Sequence, residues 1–278
     1  MDDRLVHDWL EVGDRVFTIR YRFLDQQIGL VLGRGEALLV DTRSTDRQAR
    51  ELLADVGRVT SDPVSVVVDT HWHWDHAFGN RTLRPTTIWA HERCAPGLLI
   101  HGRRMIEETA EELRDEGRAD IAADLEAVEI DPPDRTFATT VTLEVGGRAV
   151  ELRHFGRGHT DADIIVRVPD AGVLFAGDLL ENGAPPWCGD GYPIDWPDTL
   201  AAMLPFVDGT VVPGHGAVAD RTFAETELSR FRDLVALAGR VHADELDADA
   251  ARAASPFGTT DESEALSRSL AQLRGELD

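Results

Sequence analysis

THWHWDH, residues 70–76, places His71, His73, Asp75 and His76 within six positions. The stretch follows PVSVVVDT, a continuous apolar run typical of a strand that is buried on both faces. At an extended strand end, side chains two apart face the same side, so His71 and His73 can bind one ion together. A turn after them would carry Asp75 and His76 to a neighbouring position, where they could hold a second ion. Imidazole and carboxylate are ligands that zinc accepts near neutral pH.

Three later residues follow apolar β runs in a similar way. They are His159 in GRGHTD, Asp178 in LFAGDL and His215 in VVPGHG. Each has a glycine beside it, where the backbone can approach a site closely. We expect these three side chains to converge on the cluster at 71–76.

The order of these residues, H-x-H-x-D-H and then single H, D and H, resembles the metallo-β-lactamase superfamily from roughly Val12 to Gly216. The resemblance implies an α+β fold, a four-layer αββα sandwich, and two bound Zn²⁺ ions, with iron or manganese as alternative metals. It implies that the first metal is held by His71, His73 and His159, the second by Asp75, His76 and His215, and that Asp178 bridges the two.

The rest of the chain fits such a sandwich. Residues 16–41 indicate an antiparallel meander, and 45–57 an amphipathic helix with Thr45 as N-cap. β patterns return after DPPD, in TVTLEV, AVELRHF, DIIVRVP and VLFAG, and end with TVVPGHG. We expect one domain over 1–278, with a helical insertion near 92–130, which would overhang the metal site, and C-terminal helices near 221–277.

The amino-acid composition limits the kinds of binding partner that we expect. There are 51 acidic and 28 basic residues, a formal net charge of -23, and no lysine. Nucleic-acid binding needs a basic stripe, and none is visible, so we expect a small-molecule substrate. The start of the chain lacks the basic and apolar segments of a signal peptide, and no run approaches the ~20 apolar residues of a membrane span, which predicts a cytoplasmic protein. Cys94 and Cys188 are expected to be free thiols; the role of Cys188 and the oligomeric state stay open.

A water shared by two cations about 3.5–4 Å apart ionises near neutral pH, which predicts a hydrolase of an ester, thioester, lactone or amide-type carbonyl, with Asp75 as a catalytic residue that orients the hydroxide. A second hypothesis is β-lactamase-like activity. The lactamases that the sequence most resembles carry a Cys at the place of Asp178 and a Lys at that of Glu181, so an anionic lactam would be repelled here. The rival hypotheses from further classes are a mononuclear iron oxygenase of the same fold, a nuclease and a non-catalytic metal-binding scaffold.

Aromatic residues are frequent near the expected site. Trp72 and Trp74 lie inside the histidine motif, and Trp187 and Tyr192 lie in the loop APPWCGDGYPIDWP. Aromatic walls suit an apolar or cyclic substrate. We predict that these four side chains contact the substrate.

Overall fold

The computed structural model describes residues 4–258 and 264–277. A first sheet of seven strands follows chain order. Its strands are β1 (Leu5–Gly13), β2 (Val16–Tyr21), β3 (Gln27–Leu32), β4 (Ala37–Val40), β5 (Val64–Val68), β6 (Thr87–His91) and β7 (Arg135–Phe137). Pairing is antiparallel from β1 to β4 and parallel from β4 to β7. The predicted meander over 16–41 is confirmed as β2, β3 and β4.

A second sheet of five strands has the order β12-β11-β10-β9-β8. Its strands are β8 (Thr140–Val145), β9 (Arg148–Arg153), β10 (Ile165–Val168), β11 (Val173–Asn182) and β12 (Thr210–Gly216). Neighbours are antiparallel except for β11 and β12, which run parallel. The carboxyl ends of β11 and β12 therefore lie at the same edge of the sheet.

Helices cover the outer faces of both sheets. The helices of the described residues are α1 (Asp46–Val56), α2 (Trp74–Ala77), α3 (Cys94–Asp115), α4 (Ala119–Glu126), α5 (Trp196–Met203), α6 (Arg221–His242), α7 (Ala248–Ala253) and α8 (Ala265–Leu273). Helix α1 packs on the first sheet. Helices α5, α6 and α8 pack on the second. The result is the predicted four-layer αββα sandwich.

Successive side chains along a strand point to opposite faces of its sheet. Each sheet therefore contributes to a core shared with the other sheet and to a second core shared with its helices. In β4, Leu38 and Val40 face the second sheet, while Leu39 faces α1. In β11, Phe175 faces the first sheet and Leu174 faces the C-terminal helices. Strands buried on both faces need the continuous apolar runs seen in the sequence.

Helix boundaries follow local chemistry. Helix α1 begins after Thr45, whose side chain accepts a hydrogen bond from the backbone N–H of Gln48, as predicted. Helix α3 continues through Gly97 without a break. A Cβ at this position would lie 2.5 Å from the Trp72 indole, so the glycine allows the indole to pack directly on the helix. The helical pattern predicted over 261–277 begins with three positions outside the described residues and continues as α8.

Strand β1 was not predicted. Its sequence, LVHDWLEVG, alternates buried or half-buried with more exposed side chains, a weak pattern at the edge of a sheet. Within the described residues, no helix is both long enough and apolar enough to cross a membrane.

Candidate metal centre

The seven predicted ligands lie at one edge of the sandwich, on elements from both sheets. His71 and His73 follow β5, and α2 carries Asp75 and His76. The other three come from the second sheet: His159 from the loop between β9 and β10, Asp178 from β11 and His215 from β12. Strand β11 continues to Asn182, so Asp178 lies inside the strand and not at its end.

One group of ligand atoms belongs to His71, His73 and His159, which are all buried. His73 Nδ1 lies 2.7 Å from His159 Nε2. Asp178 Oδ2 lies 3.7 Å from His71 Nε2 and 3.4 Å from His159 Nε2. These are three imidazoles and one carboxylate facing a common space.

A second group consists of Asp75, His76 and His215. The Nε2 atoms of His76 and His215 are 3.1 Å apart, and Asp75 Oδ2 lies 3.2 Å from each of them. Asp178 is 3.3 Å from His76 and 3.2 Å from His215, so its carboxylate contacts both groups. Asp178 is therefore the side chain that joins the two halves of the cluster.

The outer ring nitrogens are held by oxygen atoms, which orients the inner nitrogens. His71 Nδ1 contacts Thr70 Oγ1 at 3.1 Å, and His76 Nδ1 contacts Asp41 Oδ2 at 2.8 Å. His159 Nδ1 lies 3.1 Å from the Trp187 carbonyl, and His215 Nδ1 lies 2.7 Å from the Leu24 carbonyl. If each outer nitrogen donates its proton to that oxygen, the inner Nε2 presents a lone pair to the cluster.

The cluster also leaves buried polar atoms unsatisfied. His71 Nε2 is buried and has no hydrogen-bond partner among the described residues. A buried polar atom without a partner is costly and calls for an explanation such as an ion. Imidazole nitrogens and carboxylate oxygens within 4.8 Å of one another fit a divalent transition metal.

Two glycines allow close packing around the cluster, one against Thr70 and one against Asp178. Gly177 has φ +52 and lies against Thr70, whose Cβ would be 2.8 Å from an added Cβ. Gly214, in β12, lies so close that a Cβ would be 1.8 Å from Asp178 Oδ1. Only a residue without a side chain fits at Gly214 with the carboxylate in this place.

The pKa values reflect close packing of opposite charges. Burial opposes ionisation of Asp178, but His215, His76 and His71 outweigh it and hold its pKa well below the usual range. Burial favours neutral His76, yet Asp178, Asp75 and Asp41 raise its pKa well above normal. Burial and then His73 lower the pKa of His159 to about 3. His159 is thus a neutral imidazole near pH 7, the form that binds metals.

Three further acidic residues belong to the site. The sequence predicts a role only for Glu181, as a group that repels anions, and not for Asp41 or Asp190. Asp41 holds His76 and accepts hydrogen bonds from the backbone N–H and hydroxyl of Thr70. It follows the apolar run EALLV, the same strand-end signal that identified Asp178. Asp190 lies 3.5 Å from His73 Nε2, and only its neighbouring glycines marked it in the sequence. Glu181 lies in the cavity wall, where burial and Asp178 raise its pKa to about 8.

A cavity of about 700 Å³ opens over the cluster. Trp74 and Trp187 line it, together with residues of α3, the predicted helical insertion. Trp72 does not line it: the indole is buried beside α3, where Nε1 donates to Asp161 and the ring stacks on His101. Tyr192 does not line it either, because its ring packs under the Arg157 guanidinium.

Comparisons with known proteins agree on the family. The metallo-beta-lactamase superfamily model matches residues 21–215. The chain is 30% identical over 199 residues to a metallo-beta-lactamase type 2 of Bacillus cereus, covering 69% of this chain and 68% of that protein. It is 24% identical over 228 residues to a linear primary-alkylsulfatase of Pseudomonas sp. (strain ATCC 19151), covering 72% of this chain and 43% of that protein.

Solved structures show the same fold. A metallo-beta-lactamase from Pontibacter korlensis superposes with a TM-score of 0.65 at 23% identity, covering 81% of this chain and 98% of that one. A double mutant of a sec-alkyl sulfatase gives a TM-score of 0.75 at 16% identity, covering 97% of this chain and 50% of that one. The chain belongs to the metallo-β-lactamase superfamily, and its histidine and aspartate groups support a metal-dependent hydrolase.

Proposed function

We propose that the protein is a hydrolase with two zinc ions, one held by His71, His73 and His159, the other by Asp75, His76 and His215, with Asp178 shared between them. The observation that carries the proposal is the orientation of the histidines. Oxygen atoms hold the outer nitrogens of four histidines, and the inner nitrogens of these four lie around the Asp178 carboxylate. A set of core histidines would instead pair with separate partners.

Bound together, two such ions supply a hydroxide nucleophile near neutral pH and polarise a carbonyl oxygen. Asp75 lines the cavity and contacts His76 and His215, so its carboxylate can accept a hydrogen bond from a water molecule and orient it. Burial opposes ionisation of Asp75, but His76 and His215 outweigh it and lower its pKa well below the usual value, so it is ionised at neutral pH. Trp187 and Met105 provide apolar surface in the cavity wall, against which the carbon skeleton of a substrate can pack.

The substrate class we propose is an ester, thioester, lactone or amide-type carbonyl of a small molecule. Hydrolysis of β-lactams is the second candidate, favoured by the similarity to the Bacillus cereus enzyme. Many lactams are anions, however; they would meet the Asp190 carboxylate in the cavity wall, and Glu181 offers them no positive charge. An alkyl sulfate, the substrate class that names the Pseudomonas relative, carries the same negative charge. An iron oxygenase would need one metal only, and the second group of ligands argues against it.

The test combines metal analysis with turnover. We expect about two zinc ions per chain, and loss of activity on chelation that added zinc restores while circular dichroism stays unchanged. Substrates should include aryl esters, thioesters, lactones, a chromogenic cephalosporin and an alkyl sulfate. His215→Ala should lose both one metal and turnover, and His242→Ala, on the exposed end of α6, should lose neither. One iron per chain, or no chelator-sensitive turnover of any substrate, would overturn the proposal.

A further inference from the structure

The wall of the cavity over the metal centre is acidic. Apart from the proposed ligands and Glu181, the charged residues that line it among the described ones are five carboxylates and one guanidinium. The carboxylates are Asp25, Glu108, Glu112, Asp190 and Glu264, and the guanidinium is Arg104. Because the walls of a cleft focus the field of its charges, this excess acts on any molecule that enters.

The guanidinium is already paired. Arg104 contacts Asp190 at 3.0 Å and Glu108 at 2.9 Å. Asp25 is paired with Arg20, at 2.7 Å from its Nε. Within the described part of the chain, no ion pair joins Glu112 or Glu264 to an arginine. As far as the described residues go, the cavity wall thus offers no unpaired basic side chain to an anionic substrate, so a positive charge there would come from the bound metal. Two of the wall carboxylates lack a cationic partner.

Aromatic rings lie in the same wall. Trp187 is 40% exposed although it lies beside the buried ligands, with its ring centroid 5.5 Å from that of His73. Trp74, also in the lining, packs edge-on against Phe23. An exposed indole face near carboxylates attracts ammonium groups through the negative charge of its π system.

We propose that this cavity selects substrates that carry an ammonium group, either a protonated amine or a quaternary amine, on the part of the molecule that lies against Trp187 and Glu112. This inference rests on the proposed function and adds the charge of the substrate. The charged residues Arg104, Glu108 and Glu112 are spaced four apart along α3 and all line the cavity, so one face of this helix points into it. The helical insertion thereby sets substrate charge, whereas the sheet edges hold the metal ligands.

The first experiment measures binding and does not depend on turnover. Choline and its uncharged isostere 3,3-dimethylbutan-1-ol are titrated into the metal-loaded protein, with calorimetry as the readout. We expect choline to bind about tenfold more tightly at low salt, an advantage that shrinks as salt screens the wall charges. Equal affinities, or tighter binding of the alcohol, would overturn the inference.

Two variants with the same change in net charge test the wall itself. Glu112→Arg should weaken choline binding by about tenfold and leave the alcohol unaffected, with Glu112→Gln giving a smaller loss. Glu111→Arg, on the same helix but outside the cavity lining, should change neither. If Glu111→Arg weakens choline binding as much as Glu112→Arg does, the preference comes from the charge of the whole protein and the inference is wrong.

The second experiment measures hydrolysis of acetylthiocholine and of the thioacetate of 3,3-dimethylbutane-1-thiol. We expect a higher kcat/KM for the cationic thioester, and loss of this preference in Glu112→Arg. Equal turnover of both, abolished by chelation, would refute the charge selection and leave the proposed function intact. Absence of turnover combined with tight choline binding would refute this use of the metal centre and leave the charge selection standing.

Discussion

Replacing Gly214 by alanine should disrupt the metal centre without a change of any ligand. An added Cβ would lie 1.8 Å from Asp178 Oδ1, whereas Cβ contacts under 3.0 Å are essentially never seen. Either the carboxylate of Asp178 moves by about 1.2 Å, or β12 shifts away from β11 and displaces His215. Asp178 now lies 3.2 Å from His215 and 3.4 Å from His159, so a shift of this size separates the two groups of ligands.

A displacement of about 1 Å costs on the order of 100-fold in rate when it misplaces reacting groups, and overpacking one methyl group costs about 1–3 kcal/mol of stability. We therefore expect Gly214→Ala to fold with a lowered melting temperature, to bind less than the full complement of metal after desalting, and to lose about 100-fold in kcat/KM. Elemental analysis, thermal melts and steady-state kinetics on one ester measure the three effects.

Gly239 provides the matched control. It lies within α6, and a Cβ there would have nothing within 4 Å. Gly239→Ala should keep metal content and kcat/KM, and it should raise the free energy of unfolding by up to about 1 kcal/mol, because alanine favours the helix. Full metal content and wild-type kcat/KM in Gly214→Ala would show that Asp178 is not held where the structure places it.

Three further predictions concern the surroundings of the site. Asp41→Asn should lower metal affinity about 10- to 100-fold, measured by competition with a chromogenic chelator. Asparagine tolerates φ +67, but its amide oxygen is a weaker hydrogen-bond acceptor for the His76 imidazole than a carboxylate. Unchanged metal affinity would contradict this role of Asp41. Trp72→Ala should lower the free energy of unfolding in urea by about 3–5 kcal/mol. Trp187→Ala should leave that free energy within about 0.5 kcal/mol of the wild type and should raise KM. A destabilised Trp187→Ala with unchanged KM would exclude Trp187 from the substrate wall. Burial and then His154 lower the pKa of His91 to about 4, so the unfolded chain takes up a proton near pH 6.5 that the folded chain refuses. The free energy of unfolding should therefore fall as the pH drops from 6.5 towards 4. This fall should be smaller in His91→Gln than in the wild type or in the exposed control His242→Gln. Parallel curves of stability against pH for the three proteins would refute the prediction.

The sequence predicted most of the fold because strands buried on both faces need continuous apolar runs, and capped helices need local signals such as Thr45. It also predicted which residues would meet at one edge, since apolar strand runs and a short motif bring them there, although Asp178 lies inside β11 and not at its end. It could not separate Trp72 from Trp74, because the choice between core and cavity depends on Gly97 and His101 in α3, which are distant in the chain. The close fit of Gly214 to Asp178 is likewise a contact between two strands and has no local signature.

Because the chain has a net charge of -23, an acidic cavity could simply reflect its overall composition. Distance from the bound molecule distinguishes carboxylates of the cavity wall from those of the general surface. Salt at physiological concentration screens charges beyond about 8 Å, so the many surface carboxylates largely lose their influence on a bound molecule, while those in the wall keep theirs. Carboxylates spread over a surface for solubility also need no particular orientation. Arg104, by contrast, is fixed between Glu108 and Asp190, and Asp190 in turn contacts His73. This connected set of charges links α3 to the histidine cluster, which makes the wall part of the site and not merely part of the surface.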